Sequence, residues 1–167
     1  CGLIRSRATL RYTTLFLYRS AGIAGVGARS LSVFQPDNVP AVEFDELLAR
    51  FVLFSGHIRT SDKTVKPDAF MPHPRVELSV TRHREASEPE IWSEGRRVAK
   101  LRDKNLYGRA DVSASVYISQ DLTVKSAPIP ENPNHADVVD WPSGKAEQKI
   151  KALNIANESK LHLAPAE

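Results

Sequence analysis

Three closely spaced prolines restrict the fold of this chain more than any other feature of its sequence. Pro67, Pro72 and Pro74 lie in the stretch VKPDAFMPHPRVELSVTR, which runs from Val65 to Arg82. Because proline has no backbone N–H and a fixed φ, this segment is predicted to be extended rather than regularly helical. Apolar and polar residues then alternate over 76–81, a pattern that predicts a strand with one buried face. The rest of the chain is expected to pack around this strand.

One helix is predicted before this strand and another after it. Over 42–54 apolar residues recur every three or four positions, which favours an amphipathic helix. A second helix begins at the capping box SEPE, residues 87–90, because its serine and second glutamate satisfy each other's backbone donors. This helix is expected to run to Ala99, with Gly95 marking the close approach of another element.

The remaining elements are predicted in the last third of the chain. Strands are expected over 109–118, 122–125 and 135–141, and the proline-rich segment 128–134 is expected to be an irregular loop. A last helix over 145–159, capped by Ser143, is predicted to bury Ile150, Leu153 and Ala156.

These elements predict one small α/β or α+β domain with a mixed sheet of about three to five strands and about three helices. The domain is expected over 41–163, followed by a short tail at 164–167. Residues 1–40 are rich in Arg, Ser and Thr and are interpreted as a disordered or loosely attached extension.

The positive charge of the chain belongs to this extension. The net charge is +3, but residues 1–36 contain five arginines and no acid, which leaves 18 basic and 20 acidic residues for the remainder. A domain that binds nucleic acid normally has a concentrated basic face. The composition therefore gives no strong signal for nucleic acid.

Residues 1–35 leave the location of the protein open between two interpretations. An acid-free segment of this composition resembles an organellar transit peptide, and the alternative is an unstructured extension of a cytoplasmic protein. The chain begins at Cys1 and its only methionine is Met71, which favours a fragment, a processed form or an incomplete reading frame. Cys1 is the only cysteine, so no intrachain disulfide can form, and no apolar run reaches the ~20 residues that a membrane-spanning helix needs.

Several motifs in a fixed order resemble a family of short bacterial proteins that has no established activity. They are VKPDAFMPHPRVELSVTR, RFVLFSGHIR, EIWSEGRRVA, LYGRADV and NPNHADVVDWP, and the resemblance as a whole covers about Phe44 to Leu161. The resemblance implies a bacterial, cytoplasmic protein and no particular mechanism. Asp140 stands where a glycine is expected before Trp141, and Asp is a poorer choice there if the backbone needs a positive φ.

His57 and His135 are the candidate catalytic residues. Each lies at the edge of a predicted element, and two neutral imidazoles could act as acid and base. Neither belongs to a zinc motif such as H-E-x-x-H, so no metal site is predicted. The alternative is that each histidine only hydrogen-bonds a turn.

Lys66, Arg82 and Arg109 are the candidate ligand-binding residues. A lysine or an arginine fork could hold a carboxylate or a phosphate, whereas an ordinary ion pair with Asp68 or Asp111 is the alternative interpretation. Asp68, Asp111 and Asp137 share no spacing that identifies them as catalytic or magnesium-binding residues.

Two hypotheses for function remain open. The first is an accessory or binding module whose partner is a protein or a small anionic ligand. The second is a small hydrolase or transferase for phosphate-bearing substrates, with His57 and His135 as the acid–base pair. The sequence contains no phosphate-binding P-loop, no G-x-S-x-G motif and no cysteine inside the predicted domain. The cofactor, if any, stays open.

Overall fold

A six-stranded antiparallel sheet lies at the centre of a computed structural model, which describes residues 35–72 and 76–166. The strands are β1 (Leu47–Val52), β2 (Ile58–Arg59), β3 (Thr64–Val65), β4 (Leu78–Arg82), β5 (Gly108–Ser113), β6 (Thr123–Ser126), β7 (His135–Val139) and β8 (Lys160–Leu163). The helices are α1 (Glu88–Leu101), α2 (Ala114–Ile118) and α3 (Lys145–Asn157), with 3-10 turns at Pro36–Asn38, Ser55–His57 and Pro67–Phe70. The large sheet has the order β6-β7-β4-β1-β5-β8, and β2 pairs with β3 separately.

The predicted mixture of helices and strands and the number of helices, about three, are confirmed, although only two of the three helices lie where they were predicted. The sheet differs from the prediction in two respects, because it has six strands and all its ladders are antiparallel. The additional strands are β1, which was expected to be helical, and β8, which forms from the chain's last residues. The predicted N-terminal extension lies outside the described residues except for its last part, in which the carbonyl of Pro40 accepts a hydrogen bond from Arg82.

The helix predicted over 42–54 is wrong, because residues 47–52 form the central strand β1 between β4 and β5. Leu48 and Ala49 are both fully buried although they point to opposite faces of the sheet. A strand covered on both faces has a continuous apolar run in place of alternation, and such a run resembles helical spacing.

The strand predicted over 109–118 is correct only in its first half. The strand β5 ends at Ser113, and α2 follows at once. The Ser113 hydroxyl accepts a hydrogen bond from the amide of Ser115 at 3.4 Å, which is the local signal that starts this helix. Ala114, Val116 and Ile118 continue the alternating pattern of the strand, but they lie in the helix α2.

The predicted start of α1 is confirmed. The carboxylate of Glu90 accepts hydrogen bonds from the backbone N–H and the hydroxyl of Ser87, at 2.7 and 2.6 Å. Gly95 marks the expected close approach, since a Cβ there would lie 2.9 Å from the ring of Phe51. These contacts fix α1 over the face of the sheet to which Phe51 points.

The last helix begins where it was predicted, but its N-cap is Gly144 rather than Ser143, and its buried face agrees with the prediction only at Ala156. Ile150 and Leu153 are exposed, whereas Ala152, Ile155 and Ala156 are buried. The small Ala152 lets α3 pack closely against the 3-10 turn Pro67–Phe70. This turn also shows that Pro67 occupies the first position of a helical turn, which proline tolerates, and does not hold the chain extended there.

The core lies between the sheet and the pair α2 and α3. Leu48, Val52, Leu78, Val112 and Val138 contribute the sheet side, and Phe70, Tyr117 and Ile155 pack against them. The helix α1 covers part of the opposite face. The strands β1 and β4 are thus covered on both faces of the sheet. A cavity lies between these two strands and α1.

Candidate functional site

A cavity lies where β1 and β4 separate. The two strands pair only at Leu48↔Arg82 and Ala49↔Thr81, while β1 stays paired with β5 along its whole length. From Arg50 onward β1 therefore leaves β4, and the sheet opens. The cavity at this opening has a volume of about 190 Å³, well above the ~10–15 Å³ that one water molecule requires.

The cavity wall combines apolar residues with several charged and polar ones. The apolar residues are Phe51, Leu53, Phe54, Ala69, Val80, Val98, Leu101 and Ile129. The polar residues are Arg50, His57, Ser79, Thr81, Glu94, Arg97, Arg102, Asn132 and His135. Pockets that bind small molecules typically have this composition, an apolar wall with a few convergent polar groups.

Arg50 lies where β1 and β4 separate, and its side chain hydrogen-bonds to β4 where backbone pairing is missing. Its Nε donates to the carbonyl of Ala69 at 3.0 Å, and its Nη1 donates to the carbonyl of Ser79 at 2.9 Å. Within residues 35–72 and 76–166, its Nη2 makes no hydrogen bond to the protein and no carboxylate forms a salt bridge with it. The pKa of Arg50 is lowered to about 10, mainly by burial; nearby Tyr117 acts in the opposite direction, and the positive charge of Arg102 acts in the same direction as burial. Arg50 is therefore a cation at neutral pH without an anionic partner among the described residues.

The other two arginines of the cavity lie on or next to α1. Arg97 forms two 2.7 Å hydrogen bonds with Glu94, one turn before it on the helix. These hydrogen bonds raise the pKa of Arg97, so the pair is neutral as a whole. Arg102, at the C-terminal cap of α1, is exposed and has no ion-pair partner in the part of the chain that the structure describes.

His57 and His135, the two candidate catalytic residues, both line this cavity. The ring of His57 packs against that of Phe54 with a centroid distance of 5.2 Å. Burial lowers the pKa of His57; nearby Asp68 acts in the opposite direction, and the charges of Arg50 and Lys66 lower it further. The imidazole is therefore neutral at pH 7 and able to accept a proton.

His135 is held by its strand neighbours. Its Nδ1 lies 2.8 Å from the carbonyl of Ala127, a contact in which Nδ1 carries the hydrogen. Its Nε2 lies 3.6 Å from the carboxylate of Asp137, which also accepts a hydrogen bond from the Ser79 hydroxyl at 3.1 Å. The backbone contact orients this histidine and leaves Nε2 as the nitrogen with the free lone pair.

Of the three predicted ligand-binding residues, none lines the cavity. Lys66 lies next to it: its backbone N–H donates to the carbonyl of His57 at 2.7 Å, and its charge acts on the His57 imidazole. Arg82 lies on β4, where all five of its N–H groups are engaged. They contact both carboxylate oxygens of Glu46, the carbonyls of Pro40 and Ala41 and the hydroxyl of Ser126, at 2.6 to 3.1 Å.

Arg109 belongs to a separate charged cluster on β5. It pairs with Glu88 at 2.7 Å and Asp111 at 3.1 Å, and its guanidinium carbon lies 4.7 Å from the centre of the Trp92 ring. Asp111 also faces two histidine Nε2 atoms, at 3.1 Å from His83 and 3.4 Å from His162. The ion pair of Arg109 with Asp111 agrees with the alternative interpretation. The ligand-binding role of Lys66, Arg82 and Arg109 stays a prediction.

Sequence reasoning missed the three arginines of the cavity. Arg50 lies in the strand that was interpreted as a helix, and no role was assigned to it there. Arg97 and Arg102 belong to the correctly predicted α1 and its end, but nothing in the local pattern indicates that this face covers an opening. The signal that could have revealed Arg50 is a single basic residue inside the run LLARFV, which is otherwise apolar.

Neither a metal centre nor a membrane span is found in the described ranges. Within residues 35–72 and 76–166 no group of three or more His, Cys, Asp or Glu residues could hold a metal ion. No helix in the same residues has the length and apolar character needed to cross a bilayer.

Fold and site together define an antiparallel sheet-and-helix domain with a small, cation-lined cavity at an opening in its sheet. Comparisons with protein-family models, with curated proteins and with solved structures each found no match.

Proposed function

We propose that this domain is a binding module for a small anionic ligand, which it holds in the cavity between α1 and the separating strands β1 and β4. The observation that carries the proposal is Arg50, a cation at the cavity wall without an anionic partner among the described residues. Arg50 and Arg102 supply positive charge, and the apolar wall supplies surface for the rest of the ligand.

The energetics of Arg50 favour a ligand over a purely structural role. Removing an ion from water costs several kcal/mol even after relaxation, and a nearby opposite charge usually offsets this cost. The two carbonyl contacts of Arg50 hold its guanidinium in place without neutralising it. A bound anion would supply the missing charge and an acceptor for Nη2, and charge-assisted hydrogen bonds of this kind are about twice as strong as neutral ones.

The proposal is tested by NMR titration of the wild-type protein with sodium benzoate and sodium phosphate. At least one anion is expected to cause saturable shifts in residues around the cavity, such as Phe51, Val98 and Ile129. Arg50→Met is expected to abolish these shifts. Arg59→Met is the matched control, because it removes the same charge from a residue of β2 that does not line the cavity.

Two outcomes would contradict the proposal. The first is equal affinity of the Arg50 and Arg59 variants, and the second is the absence of any saturable shift with either anion. If Arg50→Met fails to fold, the exposed Arg102→Gln provides the same test from the cavity rim. As an independent readout, a ligand at 100 times its Kd should add about 2.7 kcal/mol to the free energy of unfolding.

An acid–base enzyme for a phosphate-bearing substrate is the second candidate, favoured by the presence of both His57 and His135 at this cavity. In this mechanism water attacks phosphorus and gives its proton to neutral His57. The phosphorus–oxygen bond to the alcohol breaks, and protonated His135 donates a proton to the leaving oxygen. Hydrolysis of p-nitrophenyl phosphate that is lost in both His57→Ala and His135→Ala would support it, whereas an unchanged rate in both variants would eliminate it.

A further inference from the structure

We infer that His57 is a third cationic contact of the anion site in this cavity and that it takes up a proton when the ligand binds. This role rests on the proposed anion site and makes the affinity of that site depend on pH. Three observations support it: the position of His57 in the cavity wall, the free nitrogens of its ring and the charges that surround it.

His57 lies in the cavity wall together with Arg50. The segment after β3 connects the two residues. The backbone N–H of Lys66 donates to the carbonyl of His57 at 2.7 Å, and the carbonyl of Ala69 accepts from Nε of Arg50 at 3.0 Å. The positive charge of Arg50 also acts on the His57 imidazole. An anion that contacts Arg50 would therefore act on this imidazole as well.

The ring nitrogens of His57 are not used by the described part of the fold. His83, His135 and His162 each have a ring nitrogen 3.1 to 3.6 Å from a carboxylate oxygen. In the part of the chain that the structure describes, His57 has no such contact, and its ring makes no hydrogen bond. The partly exposed ring packs only against that of Phe54 among the aromatic residues described. Its nitrogens can therefore donate to a ligand, and the protonated ring has two N–H donors where the neutral ring has one.

The groups around His57 keep it neutral in the ligand-free protein. Burial lowers its pKa most; nearby Asp68 raises it, and the positive charges of Arg50 and Lys66 lower it further. The other charged or titratable groups of the cavity, and of the groove that adjoins it at His57, lie on β7 and on or just after α1. They are His135, Glu94, Arg97, Arg102, Asp103 and Lys104.

A bound anion reverses this balance. Its negative charge favours the imidazolium and therefore raises the pKa of His57. By thermodynamic reciprocity, protonation of His57 strengthens anion binding by the same factor by which the anion strengthens proton binding. Anion affinity is thus expected to be lowest at alkaline pH and to rise as the pH falls through the raised pKa of the bound state. It should level off below the pKa of the ligand-free state, which lies below 6.5.

The role of His57 is tested first by NMR titration of its imidazole Cε1 proton in the full chain, with and without saturating benzoate or phosphate. The pKa of His57 is expected to be higher with either anion that binds. The second measurement is the Kd of benzoate, because a carboxylate keeps its charge over this range whereas a phosphate ester gains a proton near pH 6. This Kd is expected to be at least threefold lower at about pH 5.5 than at about pH 7.5.

The variant His57→Gln removes the titrating group. The backbone of His57, rather than its ring, makes the hydrogen bonds of its turn, so the turn should remain intact. In this variant the two Kd values are expected to become equal. His162→Gln is the matched control, because it removes an imidazole on β8 that does not line the cavity, and it should keep the pH dependence of the wild-type protein.

The outcomes separate this role from the proposed function. If an anion binds through Arg50 but leaves the pKa of His57 unchanged or lower, the role of His57 is overturned and the anion site remains. A pH dependence that persists in His57→Gln would also overturn it, and its loss in His135→Gln would assign the proton to that histidine. If neither benzoate nor phosphate shows Arg50-dependent binding at either pH, the anion site itself is overturned, and the role of His57 with it.

Discussion

Two arginines on neighbouring strands of the same sheet have opposite environments. Arg82 on β4 is 1% exposed and uses all five N–H groups within the chain, two of them with the carboxylate of Glu46. Arg50 on β1 points to the same face and has two carbonyl contacts and no carboxylate among the described residues. Both guanidinium groups are largely removed from bulk water, but only that of Arg82 is neutralised by the protein.

This difference separates a folding role from a binding role. Arg82 ties β4 to the segment 40–46 and to β6, so its charge stabilises the arrangement of these elements. Arg50 lies at the edge of the opening between β1 and β4, and its Nη2 remains available to a ligand. A partly buried arginine is thus a candidate ligand-binding residue when its own chain leaves a donor and a charge unsatisfied.

The largest expected effect is on the stability of an Arg82→Met variant. Removing one partner of a buried ion pair leaves the other uncompensated, which typically costs about 3–5 kcal/mol. The free energy of unfolding, measured by urea titration with circular dichroism, is expected to fall by this amount. A loss of less than about 1 kcal/mol, the range of exposed ion pairs, would show that Arg82 has no special folding role.

Arg50→Met is expected to affect binding more than folding. Two buried carbonyls lose a donor, but a partly buried cation without an anionic partner is also removed, and these effects oppose each other. The loss of unfolding free energy should therefore be at least ~2 kcal/mol smaller than for Arg82→Met. Benzoate affinity should fall at least tenfold, which corresponds to about 1.4 kcal/mol. Equal destabilisation of the two variants would remove the contrast between the two arginines.

The contributions of the Arg82–Glu46 pair and of Arg50 to the free energy of unfolding should also depend differently on pH. Burial raises the pKa of Glu46, but the hydrogen bonds from Arg82 and from the Glu43 backbone, together with the charges of Arg82 and Arg84, more than offset this, and the net pKa is lowered. The contribution of this carboxylate is therefore present above its ordinary pKa of 4.5 and is lost as the pH falls through the lower pKa of the folded state. Glu46→Gln should destabilise the protein at pH 7 and progressively less towards pH 3.

The matched comparison is Arg50→Met over the same pH range. Because no described carboxylate pairs with Arg50, the stability difference from wild type should not change in the same way between pH 7 and pH 3. Urea unfolding curves at several pH values measure both effects. A parallel acid dependence of the two variants would indicate that Arg50 has an anionic partner within the chain.

The smallest expected effect is on the titration of His57. Burial is the main cause of its lowered pKa, and the positive charge of Arg50 adds to it. Arg50→Met is therefore expected to raise this pKa without restoring the ordinary value of 6.5. NMR titration of the imidazole Cε1 proton measures it, with Arg59→Met as the control. An unchanged or lower pKa of His57 in the Arg50 variant would show that the charge of Arg50 does not lower this pKa in the wild-type protein.

Local patterns in the sequence predicted some elements well. The capping box at 87–90 identified the start of α1 because its hydrogen bonds form between residues three positions apart. The alternation over 76–81 identified β4 to within two residues, since one face of that strand is apolar. Both signals are complete within a few neighbouring residues.

The remaining features depend on contacts between distant segments. The strand β1 has an apolar run because it is covered from both sides, which only the assembled sheet defines. Arg50 is significant because β4 pairs with β1 for two residues and then separates. His57 and His135 were identified from their positions at element edges, but their location at one cavity depends on how β4, β7 and α1 assemble.

The most direct measurement is a crystal structure of the protein with 4-bromobenzoate, in which anomalous scattering from bromine locates the ligand. The account predicts a carboxylate oxygen at hydrogen-bonding distance from Nη2 of Arg50, about 2.7–2.9 Å, with the bromine against Phe54 or Leu101. A ligand bound elsewhere, or a carboxylate of the chain itself paired with Arg50, would contradict the claim that this arginine is reserved for a ligand.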